Sequence, residues 1–240
     1  MTSVKVVCDF DGTIALEDVT DGLLERFADK RWRQIERQWL SGQLGSRECM
    51  ARQVGLIEAT RWELDHYLDQ VEIDPSFASF VDDCDRLRNI RLEVSSDGID
   101  YAVQRILDNH GLSRVCVRAN AFIAVSDTKY RLDFPHYLAG CRAQAGNCKC
   151  ASAARPFSEH SPSYSPTILI GDGRSDFCVA SAVDFVFAKK QLLAHCVAAG
   201  IWHQAFDGFV DVRRDFVRVL ESLAEPSDVG ATLTEASSDT

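Results

Sequence analysis

The tightest constraint on this chain lies at its start, where the run Val4-Lys5-Val6-Val7-Cys8 stops abruptly at Asp9-Phe10-Asp11-Gly12. A short, mostly apolar run of this kind reads as a strand buried on both faces, in the middle of a parallel sheet. Asp-Gly is a turn signal, and Gly12 lets the backbone approach a ligand or take a positive φ. Asp9 and Asp11 therefore fall at the carboxyl edge of a strand, where open α/β sheets keep their ligand crevice. Two carboxylates one residue apart repel unless something positive lies between them, and a divalent cation with oxygen ligands is the usual answer. A solvated turn would explain one such motif equally well, so the rest of the chain has to decide.

The pattern returns twice. "IRLEVSSDGID" at 90–100 is a strand ending in small polar residues, and "TILIGDGRSD" is an apolar strand ending in Gly and Asp. "VCVRAN" reads as another short strand, "AFIAVSDTKYRLDF" as a hairpin turning near Ser126 and Asp127, and "FVFAK" at 185–189 as a last strand. Phe77, Phe80, Val81, Cys84 and Leu87 mark one helix, and "YAVQRILDNHGL" marks a second, closed by Gly111. The expected fold class is α/β, a doubly wound parallel sheet. From Ile14 to about Leu68 the period is helical, with a break at 41–45, which places a small helical module after the first strand. The expected division is residues 1–15 and 78–222 as core, 16–77 as helical cap and 223–240 as a disordered tail, with a mobile Pro/Ser-rich loop inside 151–166.

A length of 240 residues suits one large domain, or one domain with a smaller insert, and 46% hydrophobic content excludes wholesale disorder. The net charge of -10 argues against nucleic acid or an anionic membrane as partner. No signal peptide or membrane span is legible, so the expected location is the cytoplasm, with a homodimer left open. Nine cysteines in a chain of this length read mainly as reduced core residues. Cys141, Cys148 and Cys150 with His136 allow a zinc reading, although C-x6-C-x-C is not a usual structural spacing. The other histidines show no paired spacing, and Trp32, Trp39 and Trp62 lack the basic neighbours of a nucleic-acid platform.

Three parallel-type strands thus end in Asp9 and Asp11, in Ser95 and Ser96, and in Asp172 and Asp176, and a doubly wound sheet would bring those ends to one edge. Four acidic groups close together need a cation, and hard carboxylate oxygens select magnesium. Ser96 and Lys149, a small hydroxyl and a point charge, suit the oxygens of a phosphate.

In order, "DFDGT" (9–13), "VSSDG" (94–98), Lys149 and "GDGRSD" (171–176) resemble the four motifs of the haloacid dehalogenase superfamily. The helical insert resembles that superfamily's type I cap, as in the phosphoserine phosphatase branch. Within this branch residues 4 to 215 are most similar to the methionine-salvage phosphatases, through segments such as "DFDGTIALED", "SDGIDY", "NCK" and "GDGRSDFCVASAVDFVFAK". The resemblance implies a Mg²⁺-dependent phosphomonoesterase acting on a small phosphorylated metabolite, first of all 2-hydroxy-3-keto-5-methylthiopentenyl-1-phosphate. Phosphoserine, a phospho-amine or a specialised metabolite are the alternatives, and a non-catalytic metabolite-binding module the remote one. It makes Asp9 the nucleophile and Asp11 the acid and base, with Asp9, Asp11 through its carbonyl, Asp172 and Asp176 around the metal. Ser96, Lys149, Gly12, Thr13, Asp97 and Gly98 would hold the phosphate, Ser95 pointing to the opposite face of its strand. Asp18 resembles an acidic substrate-facing position, and Gln53 stands where phosphoserine phosphatases keep an arginine. Arg52 is its neighbour, but one residue turns a helical side chain by roughly 100°.

Overall fold

A computed structural model describes residues 3–157 and 165–224. Strand β1 (Val4–Cys8) is buried along its whole length and lies between β2 (Ile90–Ile99) and β5 (Thr167–Gly171), parallel to both. Beyond β2 come β3 (Cys116–Ala124) and, antiparallel at the edge, β4 (Tyr130–Asp133). Beyond β5 come β6 (Phe185–Ala188) and β7 (His203–Ala205), which completes the order β4-β3-β2-β1-β5-β6-β7. The chain leaves β1 toward β2 and later returns to its other side at β5. That reversal opens a crevice at the carboxyl ends of β1 and β5.

Side-chain alternation puts the two faces of the sheet into two separate cores. Val6, Cys8, Ile168, Ile170 and Phe187 pack toward α5 (Phe77–Leu87), α6 (Asp100–Asn109) and α10 (Phe209–Ala224). Val7, Leu169, Val186 and Ala188 pack toward α7 (Lys149–Ala154), α8 (Phe177–Ala180) and α9 (Lys190–Ala199). The first core is anchored by Phe209, whose ring centroid lies 4.8 Å from that of Phe77 and 5.4 Å from that of Phe80. Each such buried ring contributes on the order of 2 kcal/mol of transfer free energy.

Between β1 and α5 the chain forms α1 (Val19–Phe27), α2 (Trp32–Leu40), α3 (Ser46–Val54) and α4 (Arg61–Leu68). It leaves and re-enters through a narrow neck: Ala15 pairs antiparallel with Ile73, the Leu16 amide donates to Glu72 at 3.1 Å and the Asp74 amide to Ile14 at 2.8 Å. The expected break at 41–45 separates α2 from α3, but the segment is cut further. Ala28 pairs with Ile57, which ends α1, and Thr60 with Glu63 forms a capping box that starts α4.

Other departures from expectation have equally local causes. "VCVRAN" and "AFIAV" form a single strand, β3, because its second half pairs with β4 across the expected turn. "FVFAK" is not the last strand, since β7 adds along β6. Helix α10 runs through Ala224, so residues 223 and 224 are helical rather than tail. Residues 225–240 and 158–164 of the Pro/Ser-rich loop lie outside the described residues.

Candidate active site

The carboxyl ends of β1, β2 and β5 converge, as the sheet order requires, beneath a cavity of about 430 Å³ that α1, α2 and α3 enclose from above. This is a size suited to a small-molecule ligand. Asp9, Asp11, Gly12, Asp97, Gly98 and Asp172 line its sheet side, and Asp18, Asp21, Glu36, Trp39, Met50 and Gln53 its helical side. Ser96, Lys149, Thr13 and Asp176 are buried behind this wall.

Asp9 follows β1 and is buried. Its Oδ1 accepts from the Phe10 amide at 2.8 Å and from the Lys149 ammonium at 2.7 Å, which leaves Oδ2 without a donor among the described residues. Lys149 Nζ also donates to Asp176 at 2.6 Å and to the Ser175 hydroxyl at 3.1 Å. Burial works against the lysine's charge, but Asp176 and Asp9 together outweigh it and hold the ammonium protonated. Burial and the Asp176 charge hold the Asp9 carboxyl well above the usual carboxylate range.

Asp11 turns the other way. Its Oδ1 accepts from the Val19 amide at 2.9 Å and its Oδ2 from the Ser96 hydroxyl at 3.1 Å. Burial, and then the charge of Asp18, push its pKa up to about 7 against the pull of those two donors. The Ser96 hydroxyl accepts from the Gly98 amide at 2.8 Å, while Ser95 faces Ser152 and Asn147, as strand alternation anticipates. Pairing of β2 with β3 shifts register between Ser95 and Ile99, and this irregularity re-aims the Ser96–Gly98 segment. Asp97 is held from two sides: its carboxylate accepts from the Ser46 hydroxyl of α3 at 2.5 Å and from the Asn147 backbone amide at 2.9 Å.

Two glycines make the wall thin. Gly12 has φ +67, and a Cβ there would stand 2.5 Å from Asp172 Oδ2. A Cβ on Gly98 would come within 2.8 Å of Asp11 Oδ2 and 2.9 Å of Ser96 Oγ. Thr13 is buried with its hydroxyl unpartnered among the described residues.

Asp9, Asp172 and Asp176 each offer an oxygen within 4.8 Å of the others. Such an all-carboxylate set fits a hard divalent cation. Asp176 Oδ2 accepts from the backbone amides of Asp172 at 3.2 Å and Gly173 at 3.3 Å, which fixes the loop that carries Asp172.

On the helical side Asp18 caps α1 by accepting from the Asp21 amide at 2.8 Å. Loss of hydration inside the cleft, with Asp21 and Asp172 near, pushes its pKa up to about 6, and Asp21, beside Glu36, rises to about 6 as well. Gln53 is buried, not a surface residue: its amide donates to Glu36 Oε2 at 2.8 Å and to the Trp32 carbonyl at 3.5 Å, leaving only its oxygen to spare. Arg52 points away and pairs with Glu48. No cationic side chain of α1, α2 or α3 lines the cavity.

Sequence reasoning did not single out Asn147, Ser46, Glu36 or Lys190. Lys190 Nζ donates to Asp172 Oδ2 at 2.9 Å and to the Gly12 carbonyl at 3.1 Å. The strand-end rule that picked out Asp9 and Asp172 would have found it too, because it lies just past the carboxyl end of β6. All nine cysteines are free thiols, and Cys141, Cys148 and Cys150 form no three-ligand metal group among the described residues. Among the described residues no helix is long and apolar enough to cross a membrane.

Residues 6–181 match the family model described as haloacid dehalogenase-like hydrolase. A 2-hydroxy-3-keto-5-methylthiopentenyl-1-phosphate phosphatase of an Exiguobacterium species is 31% identical over 88% of this chain and 95% of its own length. A phosphatase of the same name from Bacillus velezensis is 28% identical over 95% of this chain and 97% of its own. In fold the chain is similar to the phospho-aspartyl intermediate analogue of a phosphoserine phosphatase, with TM-score 0.65, 16% identity, and coverage of 89% of this chain and 99% of that one. The chain therefore belongs to the haloacid dehalogenase-like hydrolases, as a phosphoric monoester hydrolase.

Proposed function

We propose that this chain hydrolyses a small phosphomonoester in two steps, with Asp9 as nucleophile and Asp11 as acid and base. Asp9 Oδ2 attacks phosphorus and the ester P–O bond breaks, while Asp11 passes its proton to the leaving alkoxide. Water then attacks the aspartyl phosphate, Asp11 takes its proton, and inorganic phosphate and free Asp9 result. Lys149 keeps Oδ1 occupied and Asp9 in place, and its positive charge just behind Asp9 offsets charge that builds on the phosphoryl group, while Ser96, held by the Gly98 amide, orients Asp11. Asp9, Asp172 and Asp176, with the Asp11 carbonyl, would hold Mg²⁺, which supplies charge neutralisation to the transferring phosphoryl group. The observation that carries this reading is the single free oxygen of the buried Asp9, with Asp11 two residues on and poised to move a proton.

For the substrate we propose 2-hydroxy-3-keto-5-methylthiopentenyl-1-phosphate. The relatives' names support it, as does the wall of Trp39, Leu40 and Met50, apolar enough for a thioether end. One observation favours a second reading. Asp18, Asp21 and Glu36 face the cavity with no cationic side chain from the helices above, which suits a leaving group that carries an ammonium. Phosphate release from the methylthio ester, phosphoserine and phosphoethanolamine, each with Mg²⁺ or chelator, separates the two. Preference for the first supports methionine salvage, and preference for phosphoethanolamine replaces it. Chelator-insensitive turnover contradicts the metal assignment.

A further inference from the structure

Lys190 is the first residue of α9, lies outside all four motifs, and has a side chain that is 56% exposed. An exposed lysine is ordinarily a solvated point charge, yet this one is held at both ends. Its backbone has φ +47, a left-handed conformation that a residue with a Cβ adopts at a cost. Its ammonium reaches across the mouth of the cavity to the Gly12 carbonyl and Asp172 Oδ2. A non-glycine residue kept in a sparsely populated conformation at the edge of an active site indicates a constraint that the surroundings enforce.

The contact itself indicates what is constrained. Asp172 is only partly buried and, apart from Lys190, receives no side-chain donor among the described residues. Asp176, by contrast, is gripped by Lys149 and two backbone amides. Gly12 lies so close that a Cβ on it would collide with Asp172 Oδ2, so carboxylate, loop and lysine are packed as a unit. A donor on one oxygen of a ligating carboxylate fixes its plane and leaves the other oxygen to point at a cation.

We propose that Lys190 is a positioning residue for the metal site: by holding Asp172 Oδ2 and the Gly12 carbonyl, it presents the remaining Asp172 oxygen to a divalent cation. This rests on the reading of Asp172 as a ligand.

The test is calorimetric titration of Mg²⁺ into chelator-treated full-length protein, with Lys190→Met, Lys190→Arg and Lys190→Gly. Lys190→Met is expected to weaken Mg²⁺ binding by about 10- to 100-fold, the usual loss when a partner of a metal ligand is removed. Lys190→Arg should restore most of it, while KM for the ester at saturating Mg²⁺ stays within about twofold. Lys190→Gly relieves the backbone strain, so it should unfold at a higher temperature than Lys190→Met and still bind Mg²⁺ weakly, which a merely structural role would not produce. Unchanged Mg²⁺ affinity with a raised KM would make Lys190 a substrate contact and overturn the proposal. Tighter Mg²⁺ binding would make it a competing cation and overturn it equally. Asp172→Asn is the control: wild-type affinity in that variant would overturn the ligand assignment and the role of Lys190 with it, whereas weakened binding there beside unchanged binding in Lys190→Met would overturn the role of Lys190 alone.

Discussion

At the scale of single residues, charge burial decides what each group near the cavity can tolerate. Lys149 neutralises two buried carboxylates at once, so Lys149→Met leaves Asp9 and Asp176 without their shared partner. It should cost about 3–5 kcal/mol in denaturant unfolding as well as phosphatase activity, because an uncompensated buried charge is expensive. Asp21 is the opposite case, a carboxylate whose pKa rises to about 6 because it loses hydration and faces Glu36 and Asp11. Its folded-state pKa lies above its unfolded value, so the folded protein binds its proton more tightly. The stability this confers is present below about pH 4 and is lost as pH rises to about 6. Asp21→Asn should therefore raise the melting temperature at pH 7 and leave it near wild type at pH 4, read by calorimetry at the two pH values. A decrease at pH 7 would show that Asp21 stabilises its helix more than it repels its neighbours.

At the scale of elements, the strands that position the site were legible because each is an apolar run that ends in chemistry. β1 ends in Asp9 and Asp11, β2 carries Ser96 and β5 precedes Asp172, so the same period-two and turn signals located both strand and side chain. The helical segment was less legible. Its four-helix division depends on Ala28 meeting Ile57, a pairing between residues far apart in sequence that no local periodicity encodes. Gln53 and Glu36 likewise become partners only when α2 and α3 pack, and the conformation of Lys190 is not one that its residue type suggests. Helix α10 anchors the first core, because Phe209 contacts the rings of Phe77 and Phe80 of α5. Phe209→Ala should destabilise the fold by about 3–5 kcal/mol through lost burial and the cavity left behind. A loss below about 1 kcal/mol would mean that this core collapses around the gap.

At the scale of the whole molecule, sheet order produces the site. Because β1 lies between β2 and β5, residues from three distant stretches of sequence share one edge, and the helices inserted after β1 close over it. In the proposed reaction the phosphoryl chemistry resides in the sheet and the choice of leaving group in the helices above, so the motifs could announce the first but not the second. The claim on which the rest depends is that Asp9 becomes phosphorylated. Rapid-quench mass spectrometry of the enzyme mixed with its best phosphomonoester and Mg²⁺ tests it directly. A transient gain of one phosphoryl group is expected on the peptide that carries Asp9, absent in Asp9→Asn, which still folds but releases no phosphate. Turnover by Asp9→Asn at a rate near wild type, with no phosphorylated peptide in either protein, would contradict it.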